Sequence, residues 1–167
     1  LLAIPGRGSS RVVACDVGRL VLKVKQGTSQ PFNLHISSTG LPSSNCGAFC
    51  SGAILPQDVA RDLYSATINR DVVFNFSSRG GEVRKPDVVS PGASTSTVPN
   101  WTKWDRFWGT SMAAPYSAGV MSLILSAAVK EYPGVKIPSH LLYKAIRESA
   151  TKLDGYNHLD QGHGYIN

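Results

Sequence analysis

Residues 53–167 predict an α/β domain in which a buried helix packs on a mostly parallel sheet. Three observations carry the prediction. Short apolar runs bounded by Pro, Gly and Asn read as strands at 71–76 and within 85–92. The stretch 112–131 places apolar and small residues (Met112, Ala113, Tyr116, Gly119, Val120, Leu123, Ile124, Ala127, Ala128) around nearly its whole circumference. That is the pattern of a helix covered on all sides. A second helix is predicted over 139–151, with Ser139 as N-cap and Leu141, Leu142, Ala145, Ile146 and Ala150 on one stripe.

The remaining elements follow in chain order. Residues 1–52 hold one strand-like run, 19–25, among Gly, Ser and Pro clusters that read as turns. All three Cys lie before residue 51, and all three Trp and all six Tyr lie after it. The chain therefore divides into a divergent, loop-rich or non-native segment, 1–52, and a well-patterned portion, 53–167. Residues 58–64 read as a short helix or turn. The Ser-, Thr-, Asn- and Trp-rich stretch 93–108 reads as an exposed loop, and 162–167 as a turn entering a final strand.

Composition excludes several function classes. The chain has 167 residues, 42% of them hydrophobic, which is enough for one ordinary domain with a core. The net charge is +6. The excess sits in residues 1–52, where Arg7, Arg11, Arg19, Lys23 and Lys25 face Asp16 alone. These bases are scattered, without a run or an aromatic stripe, so a solvated basic surface is expected rather than a nucleic-acid or membrane partner. No unbroken apolar run approaches the roughly 18 residues of a membrane span. Leu1-Leu2-Ala3-Ile4 is too short for the apolar part of a signal peptide, and no initiating Met is present. Cys15, Cys46 and Cys50 give neither a CxxC pair nor a zinc spacing. No carboxylate cluster has calcium-loop spacing.

The segment that carries chemistry is Trp108-Gly-Thr-Ser-Met-Ala-Ala-Pro-Tyr-Ser-Ala-Gly119. A turn of small residues delivers Ser111 to the start of the strongest helix. Free backbone N–H groups and the positive end of the helix dipole lie there. Such donors suit a serine nucleophile, whose tetrahedral intermediate places an oxyanion beside them. Gly109 lets a substrate backbone approach, and Pro115, near the first turn, costs few bonds. The plain structural reading is that Ser111 caps the helix, and helix geometry alone favours it.

The string Gly-Thr-Ser-Met-Ala-Ala-Pro, residues 109–115, resembles the serine motif of the subtilisin-like serine proteases, the subtilases. Three further segments are similar to the same family in the same order: Phe76-Ser-Ser-Arg-Gly80, Lys85-Pro-Asp-Val-Val-Ser-Pro-Gly92 with Ser90 where Ala is more usual, and Gln161-Gly-His-Gly-Tyr-Ile-Asn167. Ser51-Gly-Ala-Ile-Leu-Pro56 resembles a further strand of the family, and the closing segment resembles its tripeptidyl-peptidase-II-like branch. The resemblance implies the C-terminal part of a three-layer subtilase domain and a serine endopeptidase acting on peptides or proteins. It implies Ser111 as the acylated nucleophile, with Thr110 and Gly109 supporting the oxyanion site, and a structural role for the Asp87 carboxylate. No cofactor is predicted. Some subtilases bind calcium, and no ligands for it can be placed here. The family favours a secreted or extracellular setting.

Subtilisins order their triad Asp, His, Ser along the chain. The partners of Ser111 should therefore lie upstream, yet neither the Asp nor the His string of the family occurs. Asp16 and His35 stand in other surroundings and read as non-catalytic, and Asn45 is displaced from the oxyanion position. The isolated chain is accordingly expected to hydrolyse little peptide. Two other readings stay open on sequence grounds. One is a catalytically inactive subtilase-like fragment or interaction module. The other is an α/β-hydrolase, whose Ser–acid–His order Asp154, His158, Asp160 and His163 would satisfy, although Ala113 stands where that motif wants Gly.

Overall fold

The computed structural model describes residues 39, 41–81, 83–95 and 105–166, together with the backbone of three short strands nearer the N-terminus. Those strands are β1 (Leu2–Ile4), β2 (Ser10–Ala14) and β3 (Leu20–Lys23). They form an antiparallel meander in the order β1-β2-β3, with Leu2 opposite Val12 and Val13 opposite Val21. β3 falls inside the strand predicted over 19–25. These strands belong to one compact unit, Leu1–Leu34, and all further elements to a second, His35–Asn167.

The second unit starts with α1 (Leu41–Ser44), β4 (Ser51–Leu55), α2 (Gln57–Tyr64), β5 (Val72–Val73) and β6 (Val88–Pro91). β4 is the middle strand of a mixed sheet. It pairs in parallel with β6, Ser51 beside Val88 and Ile54 beside Pro91, and antiparallel with β5, Ile54 beside Val73. Tyr165 extends the sheet by a parallel bridge to Val89 and an antiparallel bridge to Thr151. The class is α/β, as the patterning predicts, and the described sheet is mixed, with its longer pairing, β4 to β6, parallel. The chain leaves β4 through α2 and residues 65–71 and comes back as the short β5, antiparallel to β4.

Alternation along β6 divides the core into two faces. Val89 joins Ile54 and Val73, with Leu153, Tyr156 and Tyr165 packed against them. Val88 joins Ile146 and Ile166 on the other face, together with Phe49, Val120, Met121 and Ile124. The chain continues through β7 (Ala93–Thr95) and β8 (Arg106–Trp108) into α3 (Thr110–Glu131), α4 (Ser139–Ser149) and α5 (His158–Gln161). α3 and α4 supply the helical layer on the Val88 face.

Three local expectations are corrected. The stretch expected to be one exposed loop contains an antiparallel pair, with Ala93 opposite Trp108 and Thr95 opposite Arg106. Pro138, not Ser139, is the N-cap of α4. The largest difference concerns the helix expected to be buried all round. Only Ala113 and Ser117 of α3 are buried, Val120 and Ile124 are half-buried, and Leu123 is 73% exposed. A single stripe, Ala113, Ser117, Val120 or Met121, and Ile124, meets the sheet. Among the described residues nothing is packed over the other faces, although an 18-residue window of α3 has a mean hydropathy of 1.5 and meets the length and composition of a membrane span.

Candidate active site

α3 begins two residues earlier than its apolar pattern suggests. Gly109 is the N-cap, with a φ of 157° that favours glycine. Ser111 is therefore not a cap. It stands in the first turn, exposed, and no described residue bonds to its hydroxyl or its backbone N–H. The Met112 and Ala113 N–H groups turn back to the Gly109 carbonyl at 3.0 and 3.4 Å. That leaves the Thr110 and Ser111 N–H groups at the open helix end. The early start also moves Pro115 to the sixth helical position, beyond the first turn. It has no N–H to give the Ser111 carbonyl, which is left to solvent at an exposed site.

Two close approaches seat this helix end on the sheet. The Gly109 N–H donates to the Gly92 carbonyl at 2.7 Å, and the Gly92 N–H donates to the Ile54 carbonyl at 2.8 Å. A β-carbon on Gly92 would lie 2.5 Å from that of Ala53, so this crossing of backbones requires glycine. Beside it opens a cleft of about 310 Å³. Thr110, Ser111 and Ala114 line it from α3, Cys50, Ser51 and Gly52 from the entry and start of β4, Ser43 from α1, and Thr39, Phe49, Ser78 and Pro86 from the segments between elements.

The Cys50 thiol is the other potential nucleophile in the cleft. Burial pushes its pKa up, and the Asp87 carboxylate adds to the rise while Lys85 opposes it. A thiol held in its protonated form is a poor nucleophile. Asp87 itself is buried and fully engaged. It accepts from the Cys50 N–H at 2.7 Å, from Lys85 Nζ at 2.8 Å, and from Arg147 through Nη2 at 2.6 Å and Nε at 3.0 Å. These bonds clamp the entry of β4 to β6 and α4, the structural role expected for this carboxylate.

The other candidates do not converge on Ser111. Asp16 and His35 lie outside the described residues. Asn45 is exposed, and its side-chain oxygen accepts from the Gly47 N–H at 2.7 Å. The His158 and His163 rings stack edge-on at 5.8 Å, with His158 Nδ1 2.9 Å from the Gly162 carbonyl. Asp160 closes the capping box of α5 by accepting from the Asn157 N–H at 2.9 Å. None of these, nor Asp154, lines the cleft. Among the described residues no three His, Cys, Asp or Glu side chains gather into a cluster that could hold a metal ion.

Sequence reasoning missed a ring of three hydroxyls behind the cleft. Ser117 Oγ donates to Ser51 Oγ at 3.0 Å, and Ser51 Oγ donates to Ser90 Oγ at 3.0 Å. Ser90 Oγ, 2.6 Å from Ser117 Oγ, closes the circle. The available signal was Ser90, a polar residue inside an otherwise apolar strand.

Comparison with known proteins fits this arrangement. The profile of the Subtilase family (peptidase S8) matches residues 26–165. This chain belongs to the subtilase family. It is 37% identical over 137 residues to pyrolysin of Pyrococcus furiosus, covering 74% of this chain and 10% of pyrolysin. It is 35% identical over 82 residues to tripeptidyl-peptidase 2 of Drosophila melanogaster, 48% of this chain and 6% of that protein. It is 31% identical over 96 residues to the halolysin-like extracellular serine protease Nep of Natrialba magadii, 58% of this chain and 16% of that one. The chain thus spans a small part of the length of each of these subtilases. Membership sets the α/β-hydrolase reading aside. The family match begins at residue 26, and the second compact unit begins at His35.

Proposed function

We infer that residues 35–167 carry the nucleophile of a serine endopeptidase. The observation that supports this best is the exposed Ser111 hydroxyl in the first turn of α3, facing a cleft, in a chain of the subtilase family. Ser111 Oγ attacks the carbonyl carbon of a peptide bond and gives its proton to a general base. The oxyanion that forms is held by the Ser111 N–H, with the Thr110 hydroxyl beside it and Gly109 leaving room for the substrate backbone. The base returns the proton to the departing amine as the C–N bond breaks. Water then releases the acyl group from Ser111. No cofactor takes part, and the substrates are peptides or proteins.

No histidine stands among the described residues lining the cleft, so the base comes from outside them. General-base assistance is worth about 10²–10⁴ in rate. The 167-residue chain alone is therefore proposed to turn over little or no peptide. We take the whole protein to act outside the cell, as the relative named extracellular does, and to need neither nucleic acid nor a membrane. The first half of α3 is engaged with β4 and β6, and entering a bilayer would strip it from that sheet.

A fluorophosphonate probe followed by peptide mapping tests the nucleophile. Adduct on Ser111, abolished by Ser111→Ala, is expected. Labelling of Ser117 or Ser122 with Ser111 untouched would overturn the assignment. A chromogenic peptide assay of the chain beside its Ser111→Ala variant tests the missing base. Robust hydrolysis by the first alone would reveal a complete site.

A further inference from the structure

We propose that the Ser51–Ser90–Ser117 hydroxyl ring is a positioning device that sets the depth and roll of α3 and so aims Ser111 into the cleft. The proposal rests on the reading of Ser111 as the nucleophile. A helix behaves as a short rod, and two separated anchors fix how far it sits along a sheet and which way it is turned. Among the described residues, the start and the first half of α3 have two polar anchors of this kind. The first is the Gly109 N–H on the Gly92 carbonyl at 2.7 Å. The second is Ser117, eight residues on, about 12 Å further along the axis at 1.5 Å per residue. Ser111 lies between them.

The ring is built to hold its place. Ser51 and Ser90 project from β4 and β6 on the face that meets the helix, because Ser51 pairs with Val88 and Ser90 with Ala53. Ser90 and Ser117 are buried, and Ser51, half-buried, also lines the cleft. Around the circle each hydroxyl can donate once and accept once, and Ser51 Oγ also lies 3.3 Å from the Gly52 carbonyl, a second acceptor on β4. Aliphatic contact alone would tolerate sliding and rolling of α3, since so much of its surface is apolar and uncovered. A closed set of directed bonds tolerates neither. The Ser90 that stands where the family more usually has Ala is thus matched by Ser51 and Ser117 as one unit.

The test separates positioning from bulk stability. The full chain is compared with Ser117→Ala and with the double variant Ser90→Ala/Ser117→Ala. Three quantities are read: the melting midpoint, the amide chemical shifts of residues 110–112, and the rate of Ser111 labelling by a fluorophosphonate. Ser117→Ala should lower the midpoint, because it removes two of the three bonds of the ring and leaves the buried Ser90 with the Ser51 hydroxyl as its one remaining partner in the ring. It should also displace the three amide shifts and slow labelling by roughly tenfold to a hundredfold. The double variant removes both buried hydroxyls, so its midpoint should return towards that of the parent chain while the shifts and labelling stay perturbed. Recovery of all three together would make the ring a packing feature and overturn the proposal. So would unchanged amide shifts at 110–112 in both variants. If the parent chain is never labelled at Ser111 but the shifts still move, the positioning link stands and the nucleophile reading is the one that fails.

Discussion

The two halves of α3 are both rich in apolar residues and differ in how they are held. From Thr110 to Val120 the helix is held by named contacts: a backbone bond to Gly92, a buried Ala113, and a Ser117 hydroxyl shared with two strands. From Met121 to Glu131 it touches the core along Met121 and Ile124 and otherwise presents Leu123, Leu125 and Val129 to solvent. Apolar residues are the majority in both. Precision resides where directed bonds and close backbone approach fix the helix, and that is the end that bears Ser111.

The largest expected effect on stability lies in the floor beneath the first half. Asp87→Ala leaves the buried Lys85 ammonium without its carboxylate and removes the clamp from Arg147. Breaking such a buried pair costs about 3–5 kcal/mol. Urea unfolding should show that loss, and a change below 1 kcal/mol would mean that the floor is not what holds the site. Gly92→Ala comes next. Its β-carbon has no room beside Ala53, so β6 or the α3 entry must shift, at about 1–3 kcal/mol. Ser111 labelling should fall with it, whereas a full labelling rate would show that the first anchor is dispensable.

A pH experiment sharpens the contrast on the same floor. Burial pushes the Tyr165 phenol up to about 12, with Tyr116 and Asp71 adding to the rise. In the unfolded chain it ionises near its ordinary value of about 10. Between those values the unfolded chain has released a proton that the folded chain keeps, so stability falls as pH rises. Tyr165→Phe should remove a loss of about 1–2 kcal/mol between pH 10 and 12. Parallel stability curves for parent and variant across that window would contradict it. The smallest effect belongs to the second half of α3. Leu123→Ser, at an exposed position, should change the unfolding free energy of the chain by less than about 0.5 kcal/mol. A loss of 2 kcal/mol there would erase the distinction between the halves.

Part of the site was legible in the residue order. Gly109-Thr110-Ser111 announces a helix entry with a hydroxyl at its open end, and the element types of 88–91, 110–131 and 139–149 follow from period and punctuation, while residues 58–64 read equally as helix or turn. Local signals sufficed there because a turn or a helix is specified by neighbours within a few positions. The pair of strands flanking 96–104 was not legible. Each is three residues long, too short for an alternation to register, and their pairing depends on each other rather than on either alone.

The family resemblance, the α/β class and the place of Ser111 at the start of a helix are all legible in residue order, because each is written in contiguous residues. The tertiary structure alone decided which carboxylate is spent on structure, which serines join across 27 to 66 positions, and which stripe of α3 is covered. The physical reason is one of range. Periodicity records how much of a helix is apolar, but burial needs a second surface. A hydroxyl or carboxylate takes its role from the partner that folding brings within about 3 Å.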